Sequence, residues 1–168
     1  PQDGCPSYRL LVQELEKIGY QVTDNGQTVI ALCHFAKNTQ ARNDEHYRLD
    51  VRDNYITVSG ATPHAIFNGS QTLLSLLKRQ NIPARLENVA IDDYPDLLYR
   101  GMMLDVCRHF HDVEFVKKQL DIMAMFKMNY FHWHLTDDHL WTIEVKRYPR
   151  LTEVGSVRRN ADGSIHRG

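Results

Sequence analysis

The chain has 168 residues, 42% of them hydrophobic, and a formal net charge of -1. That is enough apolar material to pack one domain of ordinary size or two small ones. The near-neutral balance argues against a general nucleic-acid or membrane-surface role, and no apolar run reaches transmembrane length.

In chain order, Ser7 is a candidate N-cap for a helix over Tyr8 to Ile18, with Leu11, Leu15 and Ile18 on one face and Gly19 ending it. Tyr20 to Leu32 predicts a hairpin around the Asp24-Asn25-Gly26 turn, and Phe35 to Glu45 is a patternless polar loop. Tyr47 to Val51 alternates at period two, and Tyr55 to Val58 follows after Arg52-Asp-Asn54, so these segments predict a second hairpin. After a break at Gly60 to Pro63, a helix is expected from His64 to Arg79, with Ile66, Leu73, Leu74 and Leu77 apolar and Gly69 weakening its middle. Asn81-Ile-Pro83 is a break, Leu86 to Ile91 a strand, and Asp92 to Asp96 an acidic link. Residues 1–93 therefore read as an α+β module with mainly antiparallel strands.

The style then changes. Tyr99 to Leu104 is an apolar run closed by Asp105 and reads as a buried strand. Asp112 can cap a helix whose Val113, Val116, Leu120 and Met123 share one face, opposite Glu114, Lys117, Lys118 and Asp121. Asn129 to Leu135 is a second strand, stopped by Thr136-Asp-Asp138. Strand, helix, strand with a long crossover is a βαβ unit, so the two strands should be parallel. In such folds ligands bind beyond the carboxyl ends of the strands. Asp105 to His111 and Thr136 to His139 leave those ends on one side, which predicts a polar site containing Arg108 and Asp137. Beyond Trp141, residues Arg158 to Gly168 read as an exposed or mobile loop. Two parallel strands and one helix cannot cover both sheet faces, so the chain reads as a fragment of a larger protein.

Cys5, Cys33 and Cys107 are odd in number and lack CxxC spacing, so neither a disulfide framework nor a structural zinc site is expected. They read as small, partly buried hydrophobes. His46, His64, His109, His111 and His139 read as solvated or supporting residues, with His109 nearest the site. Lys117-Lys118 and Arg158-Arg159 read as solvated charge, and Trp133 and Trp141 as packing residues.

Arg100-Gly101, Leu104-Asp105, Arg108-His109, His132-Trp-His-Leu-Thr-Asp-Asp138 and Tyr148-Pro-Arg-Leu151 together closely resemble the family-20 glycoside hydrolases, the β-N-acetylhexosaminidases. Tyr47 to Val51, Ile56 to Val58 and Gln71 to Leu74 resemble the small α+β domain that precedes their catalytic barrel, more loosely. The resemblance implies an N-terminal domain over 1–93 and, over 94–168, the first two strands of a truncated (β/α)8 TIM barrel. It implies removal of terminal β-linked N-acetylglucosamine or N-acetylgalactosamine with retention, through an oxazolinium formed by the substrate's own acetamido group. No cofactor or metal is implied, and the partners are such glycans and the remainder of the barrel. Family members are commonly exported or lysosomal, which implies an extracytoplasmic location.

By position, Arg108 matches the arginine that grips hydroxyls of the terminal sugar. Asp137 matches the aspartate of the network supporting the acid/base Glu. Asp138, His109, Asp105 and Arg100 are candidate supporting residues. The family's catalytic Asp-Glu pair has no counterpart, because the chain's single Asp-Glu dipeptide, Asp44-Glu45, stands in the first module. Two other readings stay open. His132 and His134 share a strand face at HxH spacing, which with Asp137 or Asp138 suits a metal-dependent barrel hydrolase. A non-catalytic sugar-binding module is the third.

Overall fold

The structure is a computed structural model describing residues 6–80, 82, 85–138 and 140–167. The sequence features at Cys5, Asn81, Pro83 and His139 lie outside the described residues. The chain divides into two compact units, Pro1–Leu98 and Tyr99–Gly168.

The first unit runs α1 (Pro6–Lys17), β1 (Val29–His34), β2 (Tyr47–Arg52), β3 (Tyr55–Gly60), α2 (Pro63–Lys78) and β4 (Val89–Asp93). Its sheet has the order β1-β3-β2-β4. The expected hairpin forms: β2 and β3 pair antiparallel, Leu49 facing Val58 and Val51 facing Ile56, across a two-residue turn with Asp53 at φ 51°. Period-two alternation puts those four side chains on one face, where α2 lies on them and α1 packs on α2. Leu49, Val58 and Leu73 are completely buried. Thr62 caps α2 by accepting from the Ala65 N–H, 3.2 Å away. Gly69 is no weak point. A Cβ there would stand 2.6 Å from Val58 Cγ1 and 2.9 Å from Tyr47 Cδ2, so its bare backbone lets the helix approach the sheet.

Several expectations change in this unit. Ser7 is not the cap of α1; it lies buried inside the helix and donates to the Pro63 carbonyl. Gly19 does end the helix, at φ 96°: Tyr20 N–H reaches back to Leu15 O and Gly19 N–H to Glu16 O, the paired bonds of a Schellman motif. Tyr20 is thereby committed to the helix end, and no hairpin forms over Tyr20 to Leu32. β1 instead pairs parallel with β3. The last strand is displaced toward the C-terminus, taking in Asp92 and Asp93, which were read as a link. Their charges are met inside the sheet: Asp92 by Arg48 and by His46 Nε2, Asp93 by the Tyr47 hydroxyl. His46 is accordingly buried rather than solvated, its Nδ1 accepting from the Arg42 N–H. Cys33 is exposed on edge strand β1.

The second unit contains β5 (Gly101–Asp105), α3 (Val113–Met125), β6 (Tyr130–His134), β7 (Thr136–Asp137), β8 (Leu140–Trp141), α4 (Arg150–Gly155), β9 (Val157–Arg159) and β10 (Ile165–Arg167). β5 and β6 are parallel, Gly101 facing Tyr130 and Asp105 facing His134. Asp112 caps α3, accepting from the Phe115 N–H at 2.8 Å. The helix ends on Lys127 at φ 55°, a left-handed position usually given to glycine. Among the described residues no barrel closes around the β5–β6 pair.

Of the apolar face expected on α3, Val116 and Met123 are buried, whereas Val113 (65% exposed) and Leu120 face solvent. Two strands offer too little surface to cover a whole helix face. For the same reason Trp133 does not pack away; it is 46% exposed, and Trp141 is half-buried with its ring N–H on Ile143 O. The stretch from Arg158, read as a loop, contains the β9–β10 hairpin, and Arg158 is half-buried rather than solvated. Asn160 N–H to Ser164 O and the Asp162 carboxylate close its turn, a local polar pattern that the composition disguised.

Candidate sugar-binding site

The ladder between β5 and β6 extends one bond past Asp105, Val106 N–H donating to His134 O at 3.0 Å. Both chains then leave the sheet at the same end. After β5 the backbone turns sharply, because Asp105 Oδ1 accepts the N–H groups of both Cys107 and Arg108, each at 3.0 Å. An aspartate collecting N–H groups two and three residues on is the chemistry of an Asx turn. After β6 the chain folds into the β7–β8 hairpin, which the sequence gave no sign of, with Asp137 facing Leu140. The turn and the hairpin are tied together by Cys107. Its thiol is fully buried and donates to Leu140 O, 3.0 Å away, and burial pushes its pKa up. Cys107 thus packs as expected and adds a bond.

Arg108 stands between two carboxylates. Its Nη1 lies 2.6 Å from Asp105 Oδ2, and its Nη2 pairs with Asp137 Oδ2. The sequence expectation that Arg108 and Asp137 meet beyond the strand ends is what the geometry shows. Asp137 is held further by the Asp138 N–H, 2.7 Å from Oδ1, and by His134 Nε2, 3.3 Å from Oδ2. His134 is thus a partnered histidine and not a lone metal ligand. The signal available was its three-residue spacing from Asp137, across the end of a strand.

The electrostatics follow from these contacts. Asp105 is driven below the usual carboxylate range, first by the Arg108 side chain and then by the Arg108 N–H. Asp137 is driven far below it, by the Asp138 N–H and side chain first and then by Arg108. Arg108 is raised in return, by Asp105 and then Asp137. Both carboxylates are therefore ionised near neutrality, and neither has a proton to give. A general acid needs the opposite, a carboxyl held protonated. What the arrangement offers is a planar array of fixed donors, with about half of the arginine side chain exposed. That suits a ligand rich in hydroxyls.

The remaining candidates are placed less closely. Arg100 sits at the other end of β5, donating from Nε to Lys127 O at 2.9 Å, where it supports the left-handed end of α3. His109 is exposed and packs against His111, which stacks on Phe115. Asp138 is exposed and contributes its backbone N–H. His132 and His134 have ring centroids 5.9 Å apart, but among the described residues no cluster of three His, Cys, Asp or Glu groups is placed to hold a metal ion. Among the described residues no helix is long and apolar enough to cross a membrane.

Comparison with known proteins adds an independent line. Residues 6–94 match the model of glycosyl hydrolase family 20, domain 2, and residues 97–167 that of the family's catalytic domain. The chain is 49% identical over 132 residues to a β-hexosaminidase of Porphyromonas gingivalis, covering 74% of this chain and 17% of that protein. To a β-hexosaminidase of Vibrio furnissii it is 37% identical over 149 residues, 88% of this chain and 24% of that one. Among solved structures, a family-20 exo-β-N-acetylglucosaminidase of Vibrio harveyi, in complex with N-acetylglucosamine, matches with a TM-score of 0.77 at 30% identity. That match covers 100% of this chain and 28% of the other. The chain thus spans about a quarter or less of the curated relatives named here.

Proposed function

Since this chain belongs to glycosyl hydrolase family 20, we propose that it is a portion of a retaining β-N-acetylhexosaminidase. In this reading residues 1–93 form the small α+β domain, and 94–168 begin the (β/α)8 catalytic barrel, with β5 and β6 as its first two strands. The substrate is a glycan ending in β-linked N-acetylglucosamine or N-acetylgalactosamine, met outside the cytoplasm. Arg108 grips hydroxyls of that terminal sugar. Asp137, kept ionised, belongs to the network that orients the acid/base Glu, and the remainder of the barrel supplies that Glu with its neighbouring Asp. The substrate's acetamido oxygen then attacks the anomeric carbon as the glycosidic bond breaks and the Glu protonates the departing oxygen. Water, giving a proton back to that Glu, opens the resulting oxazolinium with retention.

The observation that carries this reading is the Asp105–Arg108–Asp137 bridge at the carboxyl ends of two adjacent parallel strands. It offers a sugar donors without offering a proton. Asp44-Glu45 does not fill the gap, since the Glu45 carboxylate is engaged with Asn68 and His64 in the first unit.

The test is hydrolysis of a chromogenic N-acetyl-β-glucosaminide by the whole protein that carries this sequence. Turnover is expected, and Arg108→Ala should lower kcat/KM by roughly 10²-fold or more, since hydrogen bonds from a charged donor are worth about 1.5–3 kcal/mol each. The 168-residue chain alone should give none. Turnover from that chain overturns the assignment of the acid to later strands. Sugar binding without turnover by the whole protein returns the non-catalytic module.

A further inference from the structure

The turn after β5 holds its arginine from two directions with a single carboxylate. Asp105 Oδ1 takes the backbone N–H of Arg108, which sets where the residue leaves the strand. Asp105 Oδ2 takes Nη1, which sets where the guanidinium points. Asp105 is itself fixed in β5, opposite His134. Between them, Cys107 anchors the same turn to β8 through Leu140 O. Of the five N–H donors of a guanidinium, Asp105 and Asp137 each face one, and the others are left in a defined plane. An arginine without such a carboxylate would have to order a long, rotamer-rich side chain at the moment of binding.

We propose that Asp105 is the positioning residue for Arg108, aiming its guanidinium at the hydroxyls of the terminal sugar. This rests on the reading of Arg108 as the sugar grip. Asp105 touches no reacting atom and acts wholly through the arginine.

The decisive experiment is a double-mutant cycle in the whole protein, read by KM and kcat on the chromogenic substrate and by affinity for N-acetylglucosamine. Asp105→Asn keeps an oxygen for the two backbone N–H groups but sets an amide donor against Nη1. It should raise KM and weaken sugar affinity about tenfold, with a smaller change in kcat and a melting temperature close to that of the parent. In an Arg108→Ala background the same change should alter kcat/KM less than about twofold, because the partner it acts through is gone. Equal losses in both backgrounds, or no loss with Arg108 present, overturn the proposal. Asp105→Ser, which keeps a turn acceptor without charge, carries the same prediction if the asparagine variant does not fold. Failure of both to fold makes Asp105 structural and also overturns it. A parent that binds the sugar in an Asp105-dependent way without hydrolysing substrate supports the positioning role and removes the hydrolase reading. A parent that does neither removes both.

Discussion

The two units are built from similar elements and bury them very differently. In the first, Leu49, Val58 and Leu73 are completely shielded over a four-stranded sheet, with α1 ended by the Gly19 motif and α2 begun by the Thr62 cap. In the second, Met103 is 58% exposed, Phe126 66% and Val113 65%, while burial is confined to a few side chains such as Val116, Met123 and Leu140. An apolar pattern says which face of an element wants cover. It does not say that the cover lies in the same stretch of chain. The second unit is held by its parallel ladder, the Asp112 cap and the charged turn at Asp105, and its open faces are where the proposed remainder of the barrel would pack.

That contrast can be broken by substitution. The largest effect is expected for Leu73→Ala, which empties the centre of the first core and should cost about 2–5 kcal/mol, read by hydrogen exchange of the α2 amides during denaturant unfolding. Gly69→Ala comes next. Helix propensity alone would favour alanine by up to about 1 kcal/mol, but the added methyl must displace Val58 and the Tyr47 ring, so the net should be a loss of about 1–3 kcal/mol. The smallest is Met103→Ser in the 168-residue chain, expected to change stability by less than about 0.5 kcal/mol. The same substitution in the whole protein should cost well over that, if further strands cover β5. Equal costs in the two settings would erase the distinction between a closed unit and an open one.

What the sequence disclosed follows the range of the interactions involved. The β2–β3 hairpin and the Asp112 cap of α3 are local, and alternation, turn residues and N-cap chemistry reveal local order; the Thr62 cap of α2, inside a stretch that reads as a break, does not stand out. The convergence of Arg108 and Asp137 was also legible, because parallel pairing forces both strand exits to one side. Apart from the local β9–β10 turn and the start of α1, the misreadings are tertiary. The Asp24-Asn25-Gly26 turn looked like a hairpin because nothing local shows that Tyr20 closes α1 and that β1 belongs beside β3. Asp92 and Asp93 looked like linker because acidic pairs suit loops; they enter β4 because Arg48, His46 and Tyr47, over forty positions earlier, receive them. His134 on Asp137 and Cys107 on Leu140 depend on a two-residue hairpin too short to leave a pattern.

The sheet order β1-β3-β2-β4 also bears on the sequence of events in time. β2 and β3 lie within fourteen residues of each other and close over a two-residue turn, an event on the microsecond scale. β1 precedes them in the chain but docks on the far side of β3, which it can recognise only once that strand has an edge to present. The hairpin should therefore belong to the folding nucleus and β1 to the late steps. A lesion at Asp53 would slow the forward reaction, whereas one at Ile30 would chiefly hasten the reverse.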